Sequence, residues 1–298
     1  MQRREFIMKS ALTAGSIAIA NSTLLAHFLA DPWNVRMLSD EIGIFTEKGG
    51  TIAFLLSKEG VVVIDAQFPE QAKHLINELK NRTDKPINLL INTHHHGDHT
   101  AGNIEFKNIV QHVIGHENCL LNHQHVAEVQ KTVDKQLFAD ITFRNTWKIK
   151  VGNEKIKAHY LGAAHTNGDA IIHFQNANIA HMGDLVFNRR YAFVDRAAGA
   201  SISGWIDVLD KAKSIFDTGT LFVFGHAFDP VKVTGSMDDL SAMQHYLAKL
   251  LRFVDTEMRN GKTKEDILKT KSIPGVSEWQ GDGIERGLQA AYEELTVS

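Results

Sequence analysis

With 298 residues and 43% hydrophobic content, the chain can bury a large core, enough for one large domain or two small ones. The formal net charge is −3, and it becomes −5 once the first thirty residues (Arg3, Arg4 and Lys9 against Glu5) are set aside; a mildly acidic body excludes nucleic acid or an anionic membrane as the main partner. The single cysteine, Cys119, excludes an intramolecular disulfide and a cysteine-built zinc cage, and sixteen histidines direct attention to imidazole chemistry.

The N-terminus reads as an address and not as fold. Arg3-Arg4-Glu5-Phe6-Ile7-Met8-Lys9 resembles a twin-arginine export signal, followed by a weakly apolar run to Ala26 and a small-x-small site at Ala18-Ile19-Ala20. Gln2, Ile7 and the position of Lys9 depart from the usual pattern. The competing reading is an uncleaved anchor helix over residues 11–30, nearly long enough to span a bilayer. We expect residues 1–30 to be an export signal and residues 31–298 a single domain. Both readings place the body outside the cytoplasm, periplasmic or otherwise exported from a bacterium. The translocation machinery is then a transient partner, and no stable membrane association follows cleavage.

Past Pro32 come three strand signals, Ile42 to Thr46, Thr51 to Leu56 and Val61 to Asp65, joined by turns at Lys48-Gly49-Gly50 and Ser57-Lys58-Glu59-Gly60. The third is β-branched on both faces, as a strand buried on both sides requires. Ala72, Leu75, Ile76 and Leu79 recur at helical spacing from Pro69 to Lys80, and Leu89-Leu90-Ile91 is a further buried strand after Pro86. A strand at Ile109 to Ile114 and a helix at Glu117 to Leu137 follow. The pattern then begins again: strands at Ile141 to Phe143, Trp147 to Val151, Lys155 to Tyr160, Ala170 to Phe174 and Asn178 to Met182, a helix at Ser203 to Phe216, a strand at Leu221 to Phe224, and a long helix from Ser236. The stripe Leu240, Met243, Leu247, Leu250, Leu251, Val254 and Met258 on that last helix reads as core packing. Residues 282–294 read as a surface helix with no part in chemistry. Two halves of this kind predict two sheets face to face with helices outside, in one α/β domain.

The chemistry concentrates in His94-His95-His96-Gly97-Asp98-His99-Thr100, directly after the Asn88 to Asn92 strand. Imidazoles at i and i+2 can face the same way on extended backbone, and Gly97 allows a sharp turn that carries Asp98 and His99 toward a second position. That layout suits two adjacent metals. Three more sites end strand-like runs beside glycine: Gly162-Ala163-Ala164-His165-Thr166, Met182-Gly183-Asp184 and Phe224-Gly225-His226.

Taken in order, His-x-His-x-Asp-His, a later His, a Gly-Asp and a Gly-His resemble the signature of the metallo-β-lactamase superfamily over nearly the whole chain after residue 40. The resemblance implies a four-layer αβ/βα sandwich with its metal site at one edge. It also implies that His94, His96 and His165 hold one zinc, that Asp98, His99 and His226 hold another, and that Asp184 bridges the two. Imidazole nitrogens and carboxylates suit zinc independently of the resemblance, and leave open positions. Two such ions can generate a metal-bound hydroxide as nucleophile, oriented by Asp98, with no serine or cysteine nucleophile needed. Iron or manganese could take the same ligands, although relatives that handle dioxygen usually carry glutamate at the place of His96.

Among the remaining residues, Asp65 is expected to hydrogen-bond the metal loop, and Arg189 and Tyr191 to line the pocket, where an arginine favours an anionic substrate. His95 is expected to face away from the metals, and His123 and His125 to be packed or solvated. Asp184 decides among hydrolases: true metallo-β-lactamases have cysteine or serine near this place, whereas glyoxalase II, lactonase and phosphodiesterase relatives have an aspartate. The expected function is therefore an exported dinuclear zinc hydrolase that cleaves an ester, lactone, thioester or amide of a small molecule. A β-lactam-hydrolysing enzyme and a non-catalytic metal-binding protein are the alternatives.

Overall fold

The structure is a computed structural model that describes residues 33–297. The export signal expected at residues 1–30 lies outside the described residues. A compact unit runs Val35–Ser298. Among the described residues no helix is long and apolar enough to cross a membrane.

The first sheet has seven strands in sequential order: β1 Asn34–Met37, β2 Ile42–Thr46, β3 Ile52–Ser57, β4 Gly60–Ile64, β5 Ile87–Ile91, β6 Val110–His116 and β7 Ile141–Phe143. Strands β2 to β4 form an antiparallel meander; from β4 to β7 the pairing is parallel, with the helix Pro69–Arg82 returning the chain between β4 and β5. Every residue of Val61–Ile64 is fully buried. Val62 and Ile64 join the core between the sheets; Val61 and Val63 point oppositely, by the period of two. The second sheet contains β8 Thr146–Val151, β9 Glu154–His159, β10 Ile171–Phe174, β11 Ile179–His181, β13 Leu221–Val223 and β15 Thr234–Gly235, in the order β15-β13-β11-β10-β9-β8. A two-stranded parallel pair, β12 Phe187–Asn188 with β14 His226–Ala227, stands apart from both.

One core lies between the sheets, where Ile44, Leu55, Ile64 and Ile91 meet Ile156, Ile172, Phe174 and Val223. The other lies under the helices Ile202–Ile215, Met237–Arg259 and Ile284–Val297, around Trp205, Phe222, Leu247 and Leu288. The stripe on the long helix packs as expected, with Leu240, Met243, Leu247, Leu250 and Val254 fully buried. This is an α/β sandwich of two mixed sheets flanked by helices.

Two local expectations change. The helix beginning at Glu117 ends at Val129 and does not reach Leu137: Lys131 takes a left-handed backbone, and a short 3-10 turn at Val133–Lys135 follows. The C-terminal helix Ile284–Val297 is not a surface helix. Leu288 and Ala291 are fully buried, and the Glu294 carboxylate accepts hydrogen bonds from the backbone N–H groups of Ile202 (2.7 Å) and Ser203 (2.9 Å). Those are open donors in the first turn of another helix, so Glu294 ties the two together.

Candidate metal centre

The parallel strands β4 and β5 both deliver their C-terminal ends to one edge of the sandwich, where Asp65 follows β4 and the histidine loop follows β5. From the second sheet, β11 and β13 run parallel and deliver Asp184 and His226 to the same place. His165 arrives on the connection between β9 and β10. Parallel strands make this convergence possible, because their chain ends share a side.

Within the loop, His96 is extended and caps the short helical turn Gly97–Thr100, with His99 N–H donating to His96 O at 2.9 Å. That turn, and not a left-handed glycine, redirects the chain. A Cβ on Gly97 would meet nothing within 4 Å, so this lining residue borders open space. His94 Nε2, His96 Nδ1 and His165 Nε2 converge, at 3.1 Å and 2.9 Å across the two pairs that include His96. Asp184 Oδ2 lies 3.8 Å from His94 and 3.5 Å from His165. On the other side His226 Nε2 lies 3.0 Å from Asp98 Oδ2 and 3.4 Å from Asp184 Oδ2, and His99 Nε2 lies 3.1 Å from Asp184 Oδ1. All seven side chains named from the sequence thus meet in one cluster, in two sets, His94/His96/His165/Asp184 and Asp98/His99/His226.

Hydrogen bonds behind the cluster assign which nitrogen of His96, His99 and His165 faces inward. His165 Nδ1–H donates to Phe193 O at 2.8 Å, and His99 Nδ1–H donates to Asp65 Oδ2 at 2.7 Å, so each keeps Nε2 for the centre. His96 is reversed: its Nε2–H donates to Asp195 Oδ2 at 2.9 Å and its Nδ1 points inward. Asp65 is fully buried and accepts also from Thr93 N–H (2.8 Å) and Thr93 Oγ1–H (2.7 Å), the position expected of it behind the loop. His181, in the buried core, accepts from Gly183 N–H at 3.0 Å and so shapes the turn that presents Asp184.

Electrostatics divide the cluster. Burial, reinforced by the neighbouring His99, holds His94 well below the usual histidine range, and burial beside His96 takes His165 down to about 3. For His99 and His226 burial works the same way but loses: Asp184, Asp98 and Asp65 carry His99 well above the usual range, and Asp184 and Asp98 carry His226 to about 9. His94 and His165 therefore offer lone pairs at neutral pH. His99 and His226 hold protons that an incoming cation must displace.

Two buried polar atoms in the centre, His99 Nε2 and Asp184 Oδ1, have no hydrogen-bond partner although they lie 3.1 Å apart. Orphaned buried atoms of this kind are costly unless something else satisfies them. A donor set of imidazole nitrogens and carboxylate oxygens, with no thiolate, fits a borderline metal ion such as zinc. Room for the cluster depends on two glycines. A Cβ on Gly50 would lie 2.1 Å from the His99 ring, and one on Gly225 would lie 2.0 Å from Asp184 Oδ1 and 2.9 Å from Gly183 backbone. Gly225→Ala is expected to displace Asp184 and cut bound metal, measured by elemental analysis, by more than a surface substitution such as Lys58→Ala.

Some residues fall elsewhere. Arg189 and Tyr191 do not line the cavity. Arg189 lies over the Trp279 ring at 5.0 Å and within 3.5 Å of Asp239, and Tyr191 is buried against Tyr246. The cavity over the centre, about 330 Å³, is lined by His96, Gly97, Asp98, Asp184, Phe187 and His226, with Arg190, Phe193 and Arg286 at its wall. His95 is buried beside Asp195 (3.7 Å), outside the seven-residue cluster. His123 is buried on Gln136 while His125 is exposed, so that pair shares no site. Cys119 is buried, and burial pushes its thiol far up, out of reactive range. Sequence reading missed Asp195. It looks like the turn cap that it also is, accepting from Ala198 N–H, and nothing local marks its second role beside His96.

The α/β sandwich gathers histidines and carboxylates at its strand ends into a candidate metal centre. A family model for the metallo-beta-lactamase superfamily matches residues 46–247, and the chain belongs to that superfamily. Over 131 residues it is 27% identical to the 2,4-dinitroanisole O-demethylase subunit alpha of Nocardioides sp. (strain JS1661), a match covering 43% of this chain and 38% of that protein. The metallo-beta-lactamase from Pontibacter korlensis superposes with a TM-score of 0.61 at 19% identity, covering 72% of this chain and 99% of that one. The sec-alkylsulfatase Pisa1 from Pseudomonas sp. superposes at 0.69 with 13% identity, covering 87% of this chain and 50% of that one. At these identities the two solved structures share the fold.

Proposed function

We propose that this protein is an exported dinuclear zinc hydrolase that cleaves an ester, lactone, thioester or amide bond of a small molecule. The observation that carries the reading is Asp184: one carboxylate, 4% exposed, presents Oδ2 to His94, His165 and His226 and Oδ1 to His99. A cavity of about 330 Å³ suits a small substrate. Export rests on the twin-arginine-like stretch at Arg3-Arg4.

Bound ions would supply Lewis acidity and lower the pKa of a water to roughly 7. His94, His96, His165 and Asp184 would hold one, and Asp98, His99, His226 and the same Asp184 the other. The chain's own share is orientation and proton handling. Asp98 is the open carboxylate of the cluster, its side chain 30% exposed against 4% for Asp184, and it lines the cavity. Burial raises its pKa, but His99 and His226 bring it to about 2, so it is ionised at neutral pH and can orient a water by accepting a hydrogen bond from it. Phe187, stacked on the His226 ring at 5.3 Å, and Phe193 keep the wall apolar.

The test is a panel of aryl ester, lactone, thioester, phosphodiester, alkyl sulfate and chromogenic cephalosporin substrates, with and without chelator. The cephalosporin and the alkyl sulfate are included because proteins of those two activities share the fold. Chelator-sensitive turnover of a carbonyl substrate is expected, falling by two or more orders of magnitude in Asp98→Asn with the fold retained. Absence of chelator-sensitive turnover on every substrate would favour a metal carrier, and wild-type rates in a zinc-loaded Asp98→Asn variant would reject the role of Asp98.

A further inference from the structure

We propose that the substrate carries an anionic oxygen group, such as a carboxylate, which Arg190 and Arg286 hold at the mouth of the metal cavity. This names the substrate class within the hydrolase reading and rests on it for the identity of the cavity.

Both guanidinium-bearing residues line the same cavity as Asp98, Asp184 and His226. Five other arginines, Arg82, Arg144, Arg189, Arg196 and Arg259, each lie within 3.5 Å of a carboxylate. Neither Arg190 nor Arg286 takes part in an ion pair among the described residues. A solvated guanidinium pays no desolvation penalty while it waits, and its forked donors match an oxyanion in two parallel hydrogen bonds.

The two arginines come from distant parts of the chain, and the backbone brings them together. Gln280 N–H donates to Arg189 O at 3.0 Å, and Tyr191 N–H donates to Gln280 O at 3.1 Å, which straps the C-terminal segment alongside Arg190. Gly281 and Gly283, with φ of 86° and 109°, then turn the chain into the helix Ile284–Val297, whose first turn carries Arg286. Burial of Leu288 and Ala291 and the bonds made by Glu294 anchor that helix. The Arg286 guanidinium lies over the Phe193 ring at 5.4 Å, and the same ring lies 5.4 Å from the His96 ring. Arg286 is thus held one aromatic ring away from the histidine cluster. It also lies outside residues 46–247, the part that matches the superfamily model. The C-terminal segment adds this charge to a site whose metal-binding parts are all within the matched region.

The experiment compares 4-acetoxybenzoate with 4-acetoxybenzamide, esters that differ in one charge, on the metal-loaded full chain. The ratio of kcat/KM, charged over neutral, is expected to exceed one and to fall about tenfold in Arg190→Gln and again in Arg286→Gln, since a charge-assisted hydrogen bond to a partly solvated anion is worth roughly one factor of ten. Equal losses on both esters, or an unchanged ratio, would overturn the assignment. If neither ester is hydrolysed, the ester-hydrolase reading fails and the anion site is decided separately by calorimetry with 4-ethylbenzoate and 4-ethylbenzamide. Weaker benzoate binding, about tenfold or more, in the double variant supports the site. Undiminished benzoate binding overturns it, as direct capture by the metals would produce.

Discussion

Asp184→Ala is expected to leave fewer than two metal ions per chain and to lower turnover roughly a thousandfold, equivalent to about 4 kcal/mol of transition-state stabilisation. The size follows from position. Among the described residues Asp184 is the only carboxylate whose oxygens approach both histidine sets, within 3.8 Å of His94 and His165 and within 3.4 Å of His99 and His226. It is also the strongest influence carrying His226 up to about 9 against the opposing effect of burial. Without it five imidazoles converge with one fewer negative charge, and holding two divalent cations side by side becomes more repulsive. Elemental analysis of the purified variant is the direct check; two ions retained per chain would refute bridging.

Asp65 is the second large effect, and its two substitutions separate stability from metal binding. Asp65→Ala leaves Thr93 N–H, Thr93 Oγ1 and His99 Nδ1 without their buried partner, all on a residue with 0% exposure. Breaking one side of a buried charged network costs roughly 3–5 kcal/mol, or about 10 °C in Tm for a domain of this size. Asp65 also sits at φ 66°, a left-handed conformation that alanine adopts less readily than aspartate does. Asp65→Asn acts differently. Its oxygen can still accept from Thr93 N–H, but its NH2 then faces His99 Nδ1, which must become an acceptor and move its proton to Nε2. That nitrogen points at Asp184 and the centre. The expected result is a denaturation midpoint nearer wild type than that of the alanine variant, with the ion at Asp98/His99/His226 weakened at least tenfold. Full occupancy of both positions in Asp65→Asn would remove the argument that Asp65 sets the His99 tautomer.

Much of the fold was legible because its strands are short, β-branched and punctuated by glycine. Ile42–Thr46 and Ile141–Phe143 fall where alternation and turns place them. The apolar pattern of Val126, Val129 and Val133 runs on across the break, so periodicity predicts a longer helix than Glu117–Val129. The left-handed Lys131 that ends the helix has no strong sequence signature. The pocket wall was misread by one residue: Arg189 and Arg190 are adjacent and chemically identical, and only backbone direction decides which guanidinium reaches the cavity. Arg189 also has positive φ, which turns its side chain toward Trp279 and Asp239.

By itself the sequence named the seven cluster residues, since His94, His96, Asp98, His99, His165, Asp184 and His226 follow strand-like runs in an order that resembles the metallo-β-lactamase signature. It also determined the sandwich, through two successive runs of buried strands and amphipathic helices. Tertiary structure alone decided which nitrogen of His96, His99 and His165 faces inward, because that depends on Asp195, Asp65 and Phe193 O, partners 28 to 99 residues away from the rings they hold. It alone decided that a helix near the C-terminus brings Arg286 to the cavity. Local periodicity reports which face of an element is apolar; what that face is buried against, and what its polar end then reaches, is set only when distant segments pack.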